Sequence, residues 1–150
     1  MQFDIEPYEG LPFSGAKLAL CLGDQLAVIL RDATPGLIYA DHWDLPGGGR
    51  EGDETPLECA LRECREELGL EVPPEAVCWG RAFAEGPVWK WFFVGHMPHG
   101  THRQVVFGDE GQCWRMMDED SFITHPKAVP AFQARLAVWL AARAEMDEMK

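Results

Sequence analysis

"LPGGGREGDETPLECALRECREELGLEV", residues Leu45 to Val72, carries eight acidic side chains behind a run of three glycines. Like charges at helical spacing repel, so a chain that keeps this many in one short span gains something in return, a bound cation or a functional site. The local signals are those of a helix. Thr55 stands as N-cap, Pro56 at the first helical position, Glu58 as the reciprocal partner of a capping box, and Gly69 where a left-handed glycine ends the last turn. A helix over about 56–68 is expected. Leu57, Ala60, Leu61, Cys64 and Leu68 then fall on the side that packs against a sheet, and Glu63, Glu66 and Glu67 fall elsewhere. Spacing of i, i+3 and i+4 puts those three carboxylates within reach of one point, the donor set that a hard, oxygen-seeking Mg²⁺ requires. The glycine run can bring a backbone carbonyl to the same point because it has no side chains in the way. Competing with this is a solvated acidic face in which Glu58, Arg62 and Glu66 form ordinary i, i+4 pairs.

Outward from this stretch, the chain of 150 residues has the length of one domain, 1–150. Its hydrophobic content of 47%, with six Trp and eight Phe, can bury enough apolar surface to offset chain entropy, which excludes disorder. A formal net charge of −12 argues against binding to a nucleic acid polymer or an anionic membrane surface, since both need a positive field. A polyanionic substrate would need a cation. The start "MQFDIEPYEG" lacks a basic region followed by an apolar run, and no stretch is long and apolar enough to span a bilayer, so a cytoplasmic location is expected. The five cysteines show no Cys-x-x-Cys pair and read as reduced core thiols.

"AKLALCL" (16–22) and "QLAVILR" (25–31) flank Gly23-Asp24 and predict an antiparallel hairpin. A Pro-, Gly- and Asp-rich loop over 32–42 leads to a short apolar piece, 43–45. Beyond the helix, the β-prone runs 76–85, 88–97, 104–108 and 112–117 are separated by Gly, Pro and His. A second helix is expected from about Val129, with Phe132, Leu136, Trp139, Leu140 and Arg143 along one face. The order predicts an α+β layered domain whose sheet is covered by helices.

Gly48, five residues, Glu54, seven residues, Arg62-Glu63-Cys64, one residue, Glu66-Glu67, one residue, Gly69-Leu70 resembles the signature of the Nudix hydrolases at every defined position, and "WDLPGG" resembles the approach to it. Cys64 stands where the family more often has an aliphatic residue, and Asp53 where a glycine often precedes the first glutamate. The resemblance implies an α/β/α sandwich with a mixed β-sheet. It also implies hydrolysis of a nucleoside diphosphate linked to some other moiety, with Mg²⁺ as cofactor and Mn²⁺ as substitute. On that resemblance Glu63, Glu66 and Glu67 are metal ligands, Gly47 or Gly48 lends a carbonyl, and Glu66 and Glu67 are catalytic. Arg62 and Glu54 form an ion pair that orients Glu63.

Outside the box, "GDEGQCW" is similar to the Glu-Gly-Gln segment of the MutT-type branch, which makes Glu110 a further metal ligand or general base with Asp109 as its rival. Its alternative is a turn acid. Arg31 is a candidate for substrate phosphate oxygens, against a solvated strand-end arginine. Trp79, Phe83, Trp89, Trp91 and Phe93 are candidates for base stacking or, at strand alternation, for core. There is no asparagine, so the one with which the MutT-type branch reads an oxidised guanine is missing. Pro87 lies near the downstream proline of ADP-ribose pyrophosphatases. His96, His99 and His102 fit no helix-face zinc motif and read as a solvated turn. The expected partner is a small nucleotide, with room for a homodimer. The alternatives are an ADP-ribose or nucleotide-sugar pyrophosphatase, and a catalytically silent nucleotide-binding or sensor domain.

Overall fold

The computed structural model describes residues 3–149; Met1, Gln2 and Lys150, which the expected domain 1–150 includes, lie outside the described residues. Strands β2 (Phe13–Leu22) and β3 (Gln25–Leu30) form the expected hairpin, with Cys21 opposite Leu26 and Leu22 opposite Gln25. Gly23 turns the chain at φ 73°, a conformation that costs glycine nothing.

Past the turn the two strands part and recruit different neighbours. Strand β2 pairs in parallel with β7 (Val88–Met97), while β3 pairs antiparallel with β8 (Cys113–Met117) and with β4 (Trp43–Asp44). Strand β6 (Val77–Glu85) lies antiparallel to β7, and the short β1 (Asp4–Ile5) runs parallel on β6. The glycine run itself is a strand, β5 (Gly47–Gly49), laid antiparallel on β2 with Gly15 opposite Gly49, Ala16 opposite Gly48 and Lys17 opposite Gly47.

Alternating side chains of the central strands build two cores. Leu18, Leu20, Leu22 and Phe93 pack with Cys59, Ala60, Cys64 and Leu68 of helix α1 (Pro56–Leu68). Ala19, Cys21, Phe92 and Val94 face the other way, against Phe122 of α2 (Glu119–Thr124) and Leu136 and Trp139 of α3 (Pro130–Glu148). The result is the expected α/β/α arrangement around a mixed sheet of eight strands. No helix among the described residues is long and apolar enough to cross a membrane. The five cysteines are free, and four of them are buried.

The buried stripe of α1 is Pro56, Cys59, Ala60, Cys64 and Leu68, and Leu57 and Leu61, as expected, pack partly covered against the same core. Glu63 and Glu67 border β5. Three expectations need correction. The run 104–108 forms no strand: no free sheet edge receives it, and it serves instead as a strap over the end of α1. Val106 N–H donates to Leu68 O (2.8 Å) and Gly108 N–H to Glu67 O (2.9 Å), satisfying carbonyls that a helix end leaves open. His96 belongs to β7, half-buried with Nδ1 3.8 Å from Cys78 Sγ, and shares no turn with His99. Finally, the covered stripe of α3 contains Arg135, 7% exposed, which the apolar reading of that face passed over.

Candidate active site

Helix α1 is positioned by its own caps. Thr55 accepts from Glu58 N–H while Glu58 accepts from Thr55 N–H, and Gly69 closes the other end at φ 66°. That fixes Glu63 and Glu67, one turn apart, against β5. The approach is close: a Cβ on Gly48 would lie 2.7 Å from the Glu63 carboxyl carbon and would push that carboxylate aside.

Arg62 organises the acids. Its Nε and Nη2 donate to the two oxygens of Glu54, Nη1 donates to Glu63 (3.0 Å) and to Glu66 (2.9 Å), and Nη2 also donates to Gly49 O (2.8 Å). Every guanidinium hydrogen has a partner, a use of the planar fork that no ammonium can reproduce. These bonds raise the Arg62 pKa above its ordinary value, and the same pairing holds the Glu54 carboxyl below its ordinary range. Arg62→Lys should therefore lower turnover about 10- to 100-fold with the fold intact, because Glu63 and Glu66 lose their shared anchor. Turnover at saturating metal, with circular dichroism as the folding control, checks it; a normal rate in the folded variant defeats the assigned role.

Glu67 is partly buried. Its Oε1 accepts from Gly47 N–H (2.7 Å). Burial pushes its pKa up to about 7; Lys17 and the Gly47 bond pull it down, and Glu63 and Asp44 push it further up. Glu63, Glu66 and Glu67 line a cleft of about 330 Å³ together with Glu51, Asp109 and Glu110, so all six lining side chains are carboxylates. The structure thus brings Glu110 and its neighbour Asp109 to the same cleft as the helix acids, across the strap. Glu51, which the sequence reading passed over, is there too, 3.5 Å from Arg62.

Among the described residues no three acidic, histidine or cysteine side chains converge tightly enough to hold a metal as they stand. Protein donors occupy the acids instead: Arg62 holds Glu63 and Glu66, and Gly47 N–H holds Glu67. The donor set nonetheless fits a hard divalent ion, being all oxygen, with one carboxylate whose burial makes its charge costly until a cation arrives. The glycine carbonyls are engaged as well, Gly47 O by Lys17 Nζ (3.1 Å) and Gly48 O by Cys59 Sγ (3.5 Å).

Arg31 lies away from the acids. It faces a second cleft, of about 460 Å³, on the α3 side of β5, lined by Lys17, Lys90, Arg135, Tyr39 and Phe132 among others. There Arg31 Nη1 donates to buried Asp44 (3.0 Å), which also pairs with Lys17 Nζ (3.1 Å). Arg135 pairs with Glu85 and lies over the Phe83 ring. Sequence reasoning missed Lys17, Asp44, Glu85 and Arg135; only Asp44, beside the glycine run in "WDLPGG", had a local signal. Of the aromatic candidates, Trp79, Trp91 and Phe93 are core, whereas Trp89 is 39% exposed.

A family model described as the NUDIX domain matches residues 16–140. The chain belongs to the Nudix family. Among Nudix relatives, an RNA pyrophosphohydrolase of Cereibacter sphaeroides is 30% identical, the match covering 59% of this chain and 71% of that protein. An RNA pyrophosphohydrolase of Xanthomonas campestris is 32% identical over 60% of this chain and 42% of its own length. Of the solved structures, a Nudix hydrolase from M. smegmatis superposes with TM-score 0.71 at 23% identity, over 89% of this chain and 86% of the other. A bifunctional NMN adenylyltransferase/ADP ribose pyrophosphatase from Francisella tularensis, complexed with AMP and Mn ion, superposes with TM-score 0.70 at 19% identity over 91% of this chain; this chain spans 43% of that protein. At these identities the solved structures bear on the fold. Nudix membership and the pyrophosphohydrolase relatives set the reaction class, hydrolysis of a pyrophosphate bond.

Proposed function

We propose that this Nudix protein hydrolyses a diphosphate linkage in a small nucleotide, with Mg²⁺ or Mn²⁺ held by Glu63, Glu66 and Glu67. The observation that carries this reading is the all-carboxylate cleft beside a strand with no side chains. A divalent cation there would neutralise diphosphate oxygens and acidify the attacking water. The chain's own residues do the rest. Arg62 keeps Glu63 and Glu66 aimed at the cleft, and Glu54 keeps Arg62 in place. Glu110 or Asp109, both exposed at the rim, accepts the proton of the water. Arg31 and Lys17, held by Asp44, present positive charge to substrate phosphate on the far side of β5.

The likeness to RNA pyrophosphohydrolases favours a second reading, in which the substrate is a pyrophosphate linkage of an RNA. The net charge of −12 favours the small nucleotide, since a polymer's backbone would be repelled along most of this surface. Turnover of nucleoside triphosphates, dinucleotides, ADP-ribose, nucleotide sugars and a 5′-triphosphorylated RNA, each with and without Mg²⁺, decides between them. Activity on none supports the silent binding domain. The metal also has a thermodynamic signature: ligands that bind only the folded state stabilise it by mass action. Melting temperature should rise on Mg²⁺ or Mn²⁺ titration well beyond the shift that NaCl gives at equal ionic strength, and a rise no larger than that refutes the assigned metal site.

A further inference from the structure

The loop from β3 to β4, residues 31–42, holds backbone strain. Tyr39 and Asp41 are the non-glycine residues in the left-handed region among the described residues, at φ 54° and 59°. Aspartate tolerates that region, whereas a residue as bulky as tyrosine enters it at a cost. The loop buries little in return, since Ile38 is 75% and Tyr39 44% exposed. Strain kept in an exposed segment beside a cleft points to function. Tyr39 and Arg31 both line the cleft of about 460 Å³ on the α3 side of β5.

Polar contacts hold the loop, and they converge on Asp41. Its carboxylate oxygens accept from Gln112 Nε2 (2.9 Å) and Lys127 Nζ (2.6 Å), and its N–H donates to Asp32 O (3.1 Å). Gln112 Nε2 also donates to Arg31 O (2.9 Å), which uses both hydrogens of the amide. Gln112 is itself fixed on the sheet: its N–H donates to Leu30 O (2.8 Å), and Cys113, next in the chain, stands opposite Leu30 in the β3–β8 ladder. From the loop the hold passes to the Arg31 side chain. Its Nε donates to Ile38 O (3.2 Å), one residue before Tyr39, and its Nη1 to Asp44 (3.0 Å). Arg31 is thus gripped at its backbone by Gln112 and at its guanidinium by the loop and by β4.

We propose that Asp41 and Gln112 are positioning residues for Arg31: they pin the strained loop so that Ile38 O sets the tilt of the guanidinium toward substrate phosphate. The proposal rests on the diphosphate-hydrolase reading of the neighbouring acidic cleft. Exposed polar pairs such as these contribute little to stability, so what they supply is orientation. A guanidinium is a planar fork, and its paired grip on phosphate oxygens depends on its tilt in a way that the contact of an ammonium does not. The protein engages Nε and Nη1, and Nη2 is the nitrogen presented to phosphate.

The test measures KM and kcat at saturating Mg²⁺, with the best substrate of the panel, for Arg31→Ala, Asp41→Gly, Asp41→Asn, Gln112→Ala and the double variant Arg31→Ala/Asp41→Gly. Glycine takes φ 59° freely, so Asp41→Gly loses the carboxylate without adding strain; circular dichroism confirms the fold. A phosphate contact made equally in the ground and transition states acts on KM alone. Arg31→Ala should raise KM about 10- to 100-fold. Asp41→Gly and Gln112→Ala should each raise it about 10-fold, with kcat within about 2-fold. Asp41→Asn keeps an acceptor for Gln112 and tolerates the left-handed backbone, so it should recover most of the loss. In the Arg31→Ala background Asp41→Gly should change KM no further, because the loop then has no guanidinium to aim. A further rise there, or a wild-type KM in Arg31→Ala or Asp41→Gly, overturns the proposal and leaves hydrolysis itself standing. If the wild type turns over no nucleotide, the hydrolase reading fails separately, and calorimetric binding of inorganic pyrophosphate with Mg²⁺ decides. Affinity lost alike in Arg31→Ala and Asp41→Gly and kept in Asp41→Asn supports the positioning role, and any other pattern, including no binding by the wild type, overturns it.

Discussion

Glu67→Gln, folded and saturated with Mg²⁺, is expected to lose about 10³-fold or more in turnover, roughly 4 kcal/mol of transition-state stabilisation. The substitution keeps the shape of the side chain and removes its charge. Glu67 is partly buried and tied to Gly47 N–H, with the charge of Lys17 favouring its ionised form and those of Glu63 and Asp44 opposing it. A charge held in such a place acts through little intervening water, so its removal is felt strongly at a developing negative charge. Glu66, with 52% of its side chain exposed, is more screened and makes a useful comparison. Turnover with the best substrate of the panel, alongside circular dichroism, is the measurement. A folded Glu67→Gln with near-normal turnover would mean that the helix acids are not the catalytic centre.

The largest expected effect on stability belongs to a residue with no side chain. Gly47 adopts φ 139°, and a Cβ there would fall 2.2 Å from Ala16 O and 2.6 Å from Lys17 Cα, both backbone atoms that cannot step aside alone. Gly47→Ala should cost about 3 kcal/mol or more, combining backbone strain with a displaced strand pairing. Gly52→Ala is the control, since Gly52 has φ 55° and nothing within 4 Å of its added Cβ; it should cost about 1 kcal/mol. Urea unfolding of both variants tests the difference, and equal losses would show that β5 tolerates a side chain.

What could be read from the sequence was what is written locally. The bounds of α1, its capping box and its closing glycine all came from residues within one turn of where they act, and the hairpin at Gly23-Asp24 did likewise. What borders that helix was not local: that Glu63 and Glu67 lie beside a strand without side chains depends on β5, which pairs with Gly15, Ala16 and Lys17 of β2, 30 or more residues earlier in the chain. "QVVFG" has strand composition, yet strand propensity without a partner edge decides nothing. Arg135 was invisible for the same reason, its partner Glu85 being 50 residues away in sequence. The acids of α1 were legible as a set, whereas Lys17, Asp44 and Arg31 assemble from β2, β4 and the end of β3, and no spacing rule links them.

The strap over the end of α1 bears on how this protein can change over generations. Residues 106 and 108 hang from helix carbonyls by their own N–H groups, and Val106 is 71% exposed. Any residue except proline at 106 can make that bond, so the position is free to drift without disturbing the acids that follow. Position 108 is bound by the opposite condition, because a Cβ there would meet Glu66 O at 2.6 Å. The reach from helix to Glu110 is thus recorded in one missing methyl group and one amide, and the outer surface of the loop can diversify around a mooring that its own side chains do not supply.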